Sequence, residues 1–191
     1  MAEDITKNTV IDYGLQLSKN MLLSHLSTGA YHPNFAEWLP RFSSKLIPRN
    51  ENNLFTEGGQ PLWKIARSLQ LGSQNILENL IREVGSDLII RSGFMNDGTN
   101  EEKNHTLGKS IDIAVRSYED NAHFIAEDIQ RICKSATNIS MTFSNNCWFH
   151  IDYSPAQLAS GVILPKKQTF QTIDLSTGVI EKGITSIRGL F

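Results

Sequence analysis

A chain of 191 residues, 40% hydrophobic and 20% charged, has the size and composition of one folded domain with an appendage, which excludes two full domains, a disordered polypeptide or a membrane protein. Its formal net charge of -2, with 18 basic residues against 20 acidic ones, gives no global attraction to nucleic acid. Two cysteines, Cys133 and Cys147, are too few for a disulfide-stapled secreted scaffold and read as reduced thiols.

The opening stretch MAEDITKNTVIDYG carries acids where an export signal has its basic segment, and it lacks the apolar run that would follow. No segment approaches the roughly 20 apolar residues of a spanning helix. Synthesis and folding in the cytoplasm, with no membrane partner, are therefore expected. Over residues 5 to 28, Ile11, Leu15, Leu22, Leu23 and Leu26 recur at mixed helical spacing ahead of STGAYHPNF, which predicts a helix and then a loop. Trp38, Phe42, Leu46 and Ile47 stand among prolines and asparagines and predict short turns, so residues 1–59 read as an N-terminal helical and loop extension.

From Pro61 the pattern sharpens. Ile65, Leu69, Ile76, Leu77, Leu80, Ile81 and Val84 share a helical face, with Ser73 as a candidate cap and Gly85 as a stop. DLIIRSGF then reads as a strand, Met95 to Asn104 as a polar loop and SIDIAV as a second strand. SYEDNAHFIAEDIQRICKSA places Phe124, Ile125, Ile129 and Ile132 on one helical face, with Ser117 and Asp120 as a capping pair. NISMTF and CWFHIDY form a hairpin across SNN, and TFQTIDLSTGVIEKG a second hairpin within a β-rich C-terminal extension, residues 166–191. The predicted fold class is α+β: a small antiparallel sheet packed against helices over residues 60–165, with an extension at each end.

The chemistry gathers in two short stretches, HTLGKSID and CWFHIDY. Zinc at a catalytic site takes three protein ligands and leaves a fourth position open. Alternation along a strand puts Asp112 on one face with Ser110 and Ala114, and puts His150 on one face with Trp148 and Asp152. If the two strands pair antiparallel, Asp112 and His150 converge, and Gly108 supplies the tight turn that returns the backbone from His105 to the strand. Taken singly, His105 reads as a loop histidine, Asp112 as a hydrogen-bonded strand acid and His150 as a satisfied core histidine; their joint order favours a metal.

His105, Gly108 and Asp112, followed by His150 in CWFHIDYSP and preceded by IIRSGF, resemble the signature of the LAS-type zinc peptidases. These are D-alanyl-D-alanine carboxypeptidases, L-alanyl-D-glutamate endopeptidases and phage endolysins, related in fold to hedgehog's signalling domain. The resemblance covers roughly residues 60 to 165, and WFHIDYSPAQ is most similar to phage-encoded variants. It implies a hedgehog-like fold, zinc held by His105, Asp112 and His150, and hydrolysis of peptide bonds in bacterial peptidoglycan.

Two positions depart from that pattern. The arginine that commonly follows Ser-Gly-aromatic is Met95, and the acid expected three residues before the final histidine is Cys147. Asp152 is then the nearest candidate for the catalytic base, with a support that orients His150 or a surface acid as its other readings. Cys147 is a candidate fourth zinc ligand, against the plainer reading of a buried thiol, and Trp148 is a candidate wall of a substrate groove, against plain packing. His25, His32 and His123 read as surface or capping residues, and Lys166 with Lys167 as a solvated pair. Three functions compete: a zinc peptidase of peptidoglycan, a catalytically degraded relative serving as a structural or docking part of a phage tail or baseplate, and a cell-wall binding module. The implied partners are peptidoglycan peptides or other virion subunits, and the implied setting is the bacterial host cytoplasm or the virion.

Overall fold

The computed structural model describes residues 2–12, 14–27, 60–94, 103–116, 122–143, 147–161 and 168–184. Within them the fold is α+β, built on a six-stranded sheet. Its strands are β1 (Leu88–Ser92), β2 (Ser110–Val115), β3 (Asn138–Phe143), β4 (Cys147–Asp152), β5 (Thr169–Asp174) and β6 (Val179–Lys182), in the order β1-β2-β4-β3-β5-β6. Every pairing is antiparallel except β3 with β5, so the sheet is mixed rather than purely antiparallel. The second hairpin is no appendix. A crossover that contains α6 (Pro155–Ser160) carries the chain from β4 to β5, which runs alongside β3 and extends the same sheet.

One face of the sheet is apolar. Ile111, Ile113 and Val115 of β2 and Cys147, Phe149 and Ile151 of β4 are buried, while Asp112, Ala114, Trp148, His150 and Asp152 alternate with them on the other face. The buried set joins one hydrophobic cluster with Leu69 of α2 (Leu62–Gly72), Leu80 of α3 (Glu78–Val84) and Ile129 of α5 (Ala122–Ile132). The N-terminal segment enters the same cluster through Ile5, Ile11, Leu17, Met21, Leu23 and Leu26. The extensions inferred from composition are thus not divisions of the core.

Local chemistry accounts for two departures from the expected helices. Residues 5 to 28 form a helix only over α1 (Leu23–Ser27). Earlier, Asp12 Oδ1 accepts the Gly14 amide at 2.8 Å and Thr9 Oγ1 accepts the Thr6 amide at 2.9 Å, turns that compete with a helix ladder. The long helix is continuous from Leu62 to Val84, and Ser73, expected as a cap, begins a π-helical segment (Ser73–Leu77) inside it. Its stop falls where expected, with Gly85 at φ 67°. The helix presses on the sheet at Gly72, where an added Cβ would lie 2.5 Å from Tyr153 Cζ. Ser117, Trp38, Phe42, Leu46 and Ile47 lie outside the described residues. No described helix is long and apolar enough to cross a membrane.

Candidate metal centre

Three strands and one short helix deliver the site. Asp112, in the middle of β2, lies directly opposite His150 of β4. His105 comes from α4 (Lys103–Thr106), and the chain returns into β2 through Gly108 at φ 62°. Only glycine suits this turn: a Cβ there would lie 2.9 Å from the Ile65 carbonyl oxygen, in a backbone region that L residues rarely adopt. The turn is held from below by Tyr153, whose hydroxyl donates to the Gly108 carbonyl at 2.7 Å.

The two imidazoles meet on one carboxylate. His105 Nε2 is 3.2 Å from Asp112 Oδ2, and His150 Nδ1 is 2.8 Å from Asp112 Oδ1. Their outward nitrogens are also engaged, and for His105 the partner fixes the tautomer. His105 Nδ1 lies 3.2 Å from the Gly93 carbonyl oxygen, which can only accept, so Nδ1 carries the N–H. His150 Nε2 lies 3.0 Å from Asp152 Oδ1, so this ring has a carboxylate at each nitrogen and, when neutral, has one proton for the two of them. Asp152 is itself held by Asn104 Nδ2 at 2.9 Å and Asn138 Nδ2 at 3.2 Å.

With Nδ1 of His105 committed as a donor, its Nε2 faces Asp112 with a lone pair, and a neutral His150 leaves one of its two carboxylates facing a lone pair as well. That arrangement is repulsive unless a proton or a metal cation lies between nitrogen and carboxylate. The protonation equilibria express the same demand. Burial alone would lower His150, but hydrogen bonds to Asp112 and Asp152 and their charges outweigh it and push the imidazole up to about 10. Burial alone would raise Asp112, but hydrogen bonds from His105 and His150, the charge of His105 and a hydrogen bond from Ser92 hold its carboxyl well below the usual carboxylate range. In Asp152 the same contest, won by His150, Asn104 and Asn138, also leaves the carboxyl below its ordinary value. The proton on His150 stands where a metal's charge would stand.

The donor set fits a transition metal. The ligand atoms of His105, Asp112 and His150 lie within 4.8 Å of one another, two imidazoles and a carboxylate suit zinc and its first-row neighbours, and outer-nitrogen partners of this kind orient metal-binding histidines. His105 is 2% exposed, while His150 and Asp112 are half-buried, so the set is open on one side.

The structure brings together the three residues that the sequence groups, and for two others it favours one of the alternative readings. Cys147 lies on the apolar face of β4 with Phe149 and Ile151, opposite to His150, and is not a fourth ligand. Burial pushes its thiol up to about 12, far from the thiolate a metal needs. Asp152 faces the outer nitrogen of His150, away from Asp112, which makes it a positioning residue for the imidazole rather than a base beside the metal. Trp148 does share the site's face, half-buried, with the Arg91 guanidinium 4.7 Å from its ring centroid. His25 is not at the surface: it is 3% exposed, accepts the Leu22 amide on Nδ1 at 3.1 Å, and burial lowers it to about 4. Met95, His32, Lys166, Lys167 and the His123 side chain lie outside the described residues.

Ser92, Gly93, Asn104, Asn138 and Arg91 went unassigned. The register explains two of them. Ile90 pairs with Ile113 and Ser92 with Asp112, so β1 spends one extra residue in a bulge at Arg91. The bulge turns Ser92 onto the metal face, where its hydroxyl donates to Asp112 Oδ2 at 2.7 Å. Period-2 alternation alone puts Ser92 on the opposite face. Comparison of the chain with protein-family models, with curated proteins and with solved structures returns no match.

Proposed function

We propose that the chain is a zinc-dependent peptidase of bacterial cell-wall peptides, of the kind phages encode. The observation that carries this reading is the pair of histidines whose outer nitrogens are tied to Gly93 and Asp152 while their inner nitrogens meet on Asp112. A structural histidine–aspartate pair does not need both imidazoles oriented in this way. The choice of a peptide substrate is supported by the resemblance of HTLGKSID and CWFHIDYSP to the peptidase signature.

His105, Asp112 and His150 would hold the ion, Ser92 would keep Asp112 turned toward it, and Asp152 would keep the His150 lone pair aimed inward. The ion supplies Lewis acidity toward a peptide carbonyl and lowers the pKa of water. One observation favours a second reading, a peptidase-like domain that docks on the wall or among virion subunits without turnover. Asp152, the remaining acid in contact with the triad among the described residues, engages its oxygens with His150, Asn104 and Asn138.

Mass spectrometry of purified peptidoglycan incubated with zinc-loaded protein, beside a His150→Ala control, separates the two. New peptide fragments absent from the control identify the peptidase and its bond. Intact peptidoglycan, with folded and zinc-loaded protein, rejects it in favour of docking.

A further inference from the structure

The N-terminal segment, expected as an extension, reaches the candidate metal centre through one peptide unit. α1 is five residues long, and the carbonyls of a helix's last turn have no partner within it. The Leu26 carbonyl finds two on the chain that leaves β1: it accepts the Gly93 amide at 2.9 Å and the Phe94 amide at 2.8 Å. The Phe94 amide belongs to the same planar unit as the Gly93 carbonyl, and that carbonyl is the acceptor for His105 Nδ1 at 3.2 Å. A single peptide plane therefore has Leu26 at its N–H end and an imidazole of the triad at its C=O end.

The contact is close and dry. Leu26, Phe94 and His105 are 0%, 2% and 2% exposed. An added Cβ at Gly93 would lie 2.9 Å from Leu26 Cβ and 3.2 Å from its Cδ2, which leaves glycine as the residue that lets the two backbones meet. α1 is in turn placed from outside the sheet. Glu78 of α3 accepts from the Ser18 hydroxyl at 2.6 Å and from the Asn20 amide at 2.8 Å, and Gln70 of α2 accepts the Ile5 amide at 3.1 Å. Successive hydrogen bonds polarise one another, and a plane bonded at both ends cannot rotate without breaking one of its bonds.

We propose that the Leu26 carbonyl is a positioning group of the metal centre. By fixing the peptide unit between Gly93 and Phe94 it aims the Nε2 lone pair of His105 at the ion, which makes the N-terminal segment a working part of the site. The proposal rests on the metal reading of the triad and is independent of the substrate. Its test is zinc affinity, measured by chelator competition on wild type and variants, with the urea midpoint of each. Gly93→Ala drives a methyl group between the two backbones and should weaken zinc about tenfold, the lower end of the range for groups that orient a metal's ligands. It should also move the His105 Nδ1 proton resonance of the zinc-loaded protein upfield, the direction of a weakened hydrogen bond. Adding Leu26→Gly removes the two side-chain atoms that the methyl meets and keeps the carbonyl, so the double variant should regain most of the affinity. Leu80→Ala opens the core at a residue of α3 that is 0% exposed; it should lower the urea midpoint and leave the zinc Kd unchanged. Where Gly93→Ala does not fold, replacing Phe94 by its α-hydroxy analogue removes the N–H that Leu26 holds and adds no atom, and it should lose affinity to the same degree.

Native affinity in Gly93→Ala or in the Phe94 ester, no recovery in the double variant, or a loss in Leu80→Ala as large as that in Gly93→Ala overturns the proposal. Failures of the two readings are distinguishable. A wild-type protein that takes up no zinc removes the metal reading and this one with it, whereas zinc uptake by wild type with native affinity in Gly93→Ala removes this one alone.

Discussion

Replacing Asp152 by Asn tests the metal centre without touching a ligand. In the native protein Asp152 Oδ1 accepts from His150 Nε2 at 3.0 Å and from Asn104 Nδ2 at 2.9 Å, while Oδ2 accepts from Asn138 Nδ2 at 3.2 Å. Asparagine keeps one acceptor for His150 but loses the negative charge, and its amide group then meets the amide of Asn138, donor against donor. The imidazole loses basicity and part of its orientation. Changes of this kind cost about 10- to 100-fold in metal affinity, or about 1.4 to 2.7 kcal/mol. Competition against a chromophoric chelator measures the zinc Kd directly, with Cys147→Ser as the matched control. The thiol lies on the far side of β4, so its replacement should leave the Kd within about twofold of wild type, a span worth about 0.4 kcal/mol. An Asp152→Asn protein with native zinc affinity, or a Cys147→Ser protein that loses zinc while remaining folded, would refute the assignment of roles.

Two further outcomes follow from packing and burial. Gly72→Ala places a methyl group 2.5 Å from Tyr153 Cζ and 2.6 Å from its hydroxyl oxygen; it should cost about 1–3 kcal/mol in urea unfolding, the usual penalty for overpacking, and a native midpoint would show that the helix can draw back from the ring. His25 supplies a pH dependence. Its folded value of about 4 lies below the ordinary 6.5, so the unfolded chain binds the extra proton between those limits. The contribution of His25 is complete above pH 6.5 and is lost as pH falls toward 4, up to about 3 kcal/mol. Urea unfolding as a function of pH should show that loss in wild type and lack it in His25→Gln; parallel profiles would exclude His25 as the source.

The candidate metal triad was legible because two kinds of order coincided. Alternation set Asp112 and His150 on matching faces, and the antiparallel register then placed them opposite each other. Gly108 announced its turn because the position tolerates no side chain. The long helix was legible from its apolar face, except that periodicity carries no mark of a π-helical turn within it. What could not be read was set by contacts distant in sequence. The Ser92 hydroxyl reaches Asp112 only through a bulge, and Asp152 is directed by Asn104 and Asn138 from two separate elements. Of the two readings of Cys147, the ligand came from carrying a family position onto a strand whose alternation sends it inward, and the buried thiol is what the strand shows. Likewise, composition suggested tails at both ends, yet Leu17 and Leu26 from one end and Phe170 from the other are core residues.

The triad is anchored unequally. Asp112 and His150 belong to neighbouring inner strands, flanked by β1 on one side and β3 on the other, so moving them requires the sheet to open. His105 belongs to a four-residue helix, which has no stability of its own at that length and is kept in place by its bond to Gly93, by the bond of Asn104 to Asp152 and by the grip of Tyr153 on Gly108. Local opening begins at the least supported element. In kinetic terms the centre therefore has a fixed jaw and a movable one: an ion would enter and leave past His105, at a rate governed by a few local hydrogen bonds rather than by unfolding of the protein.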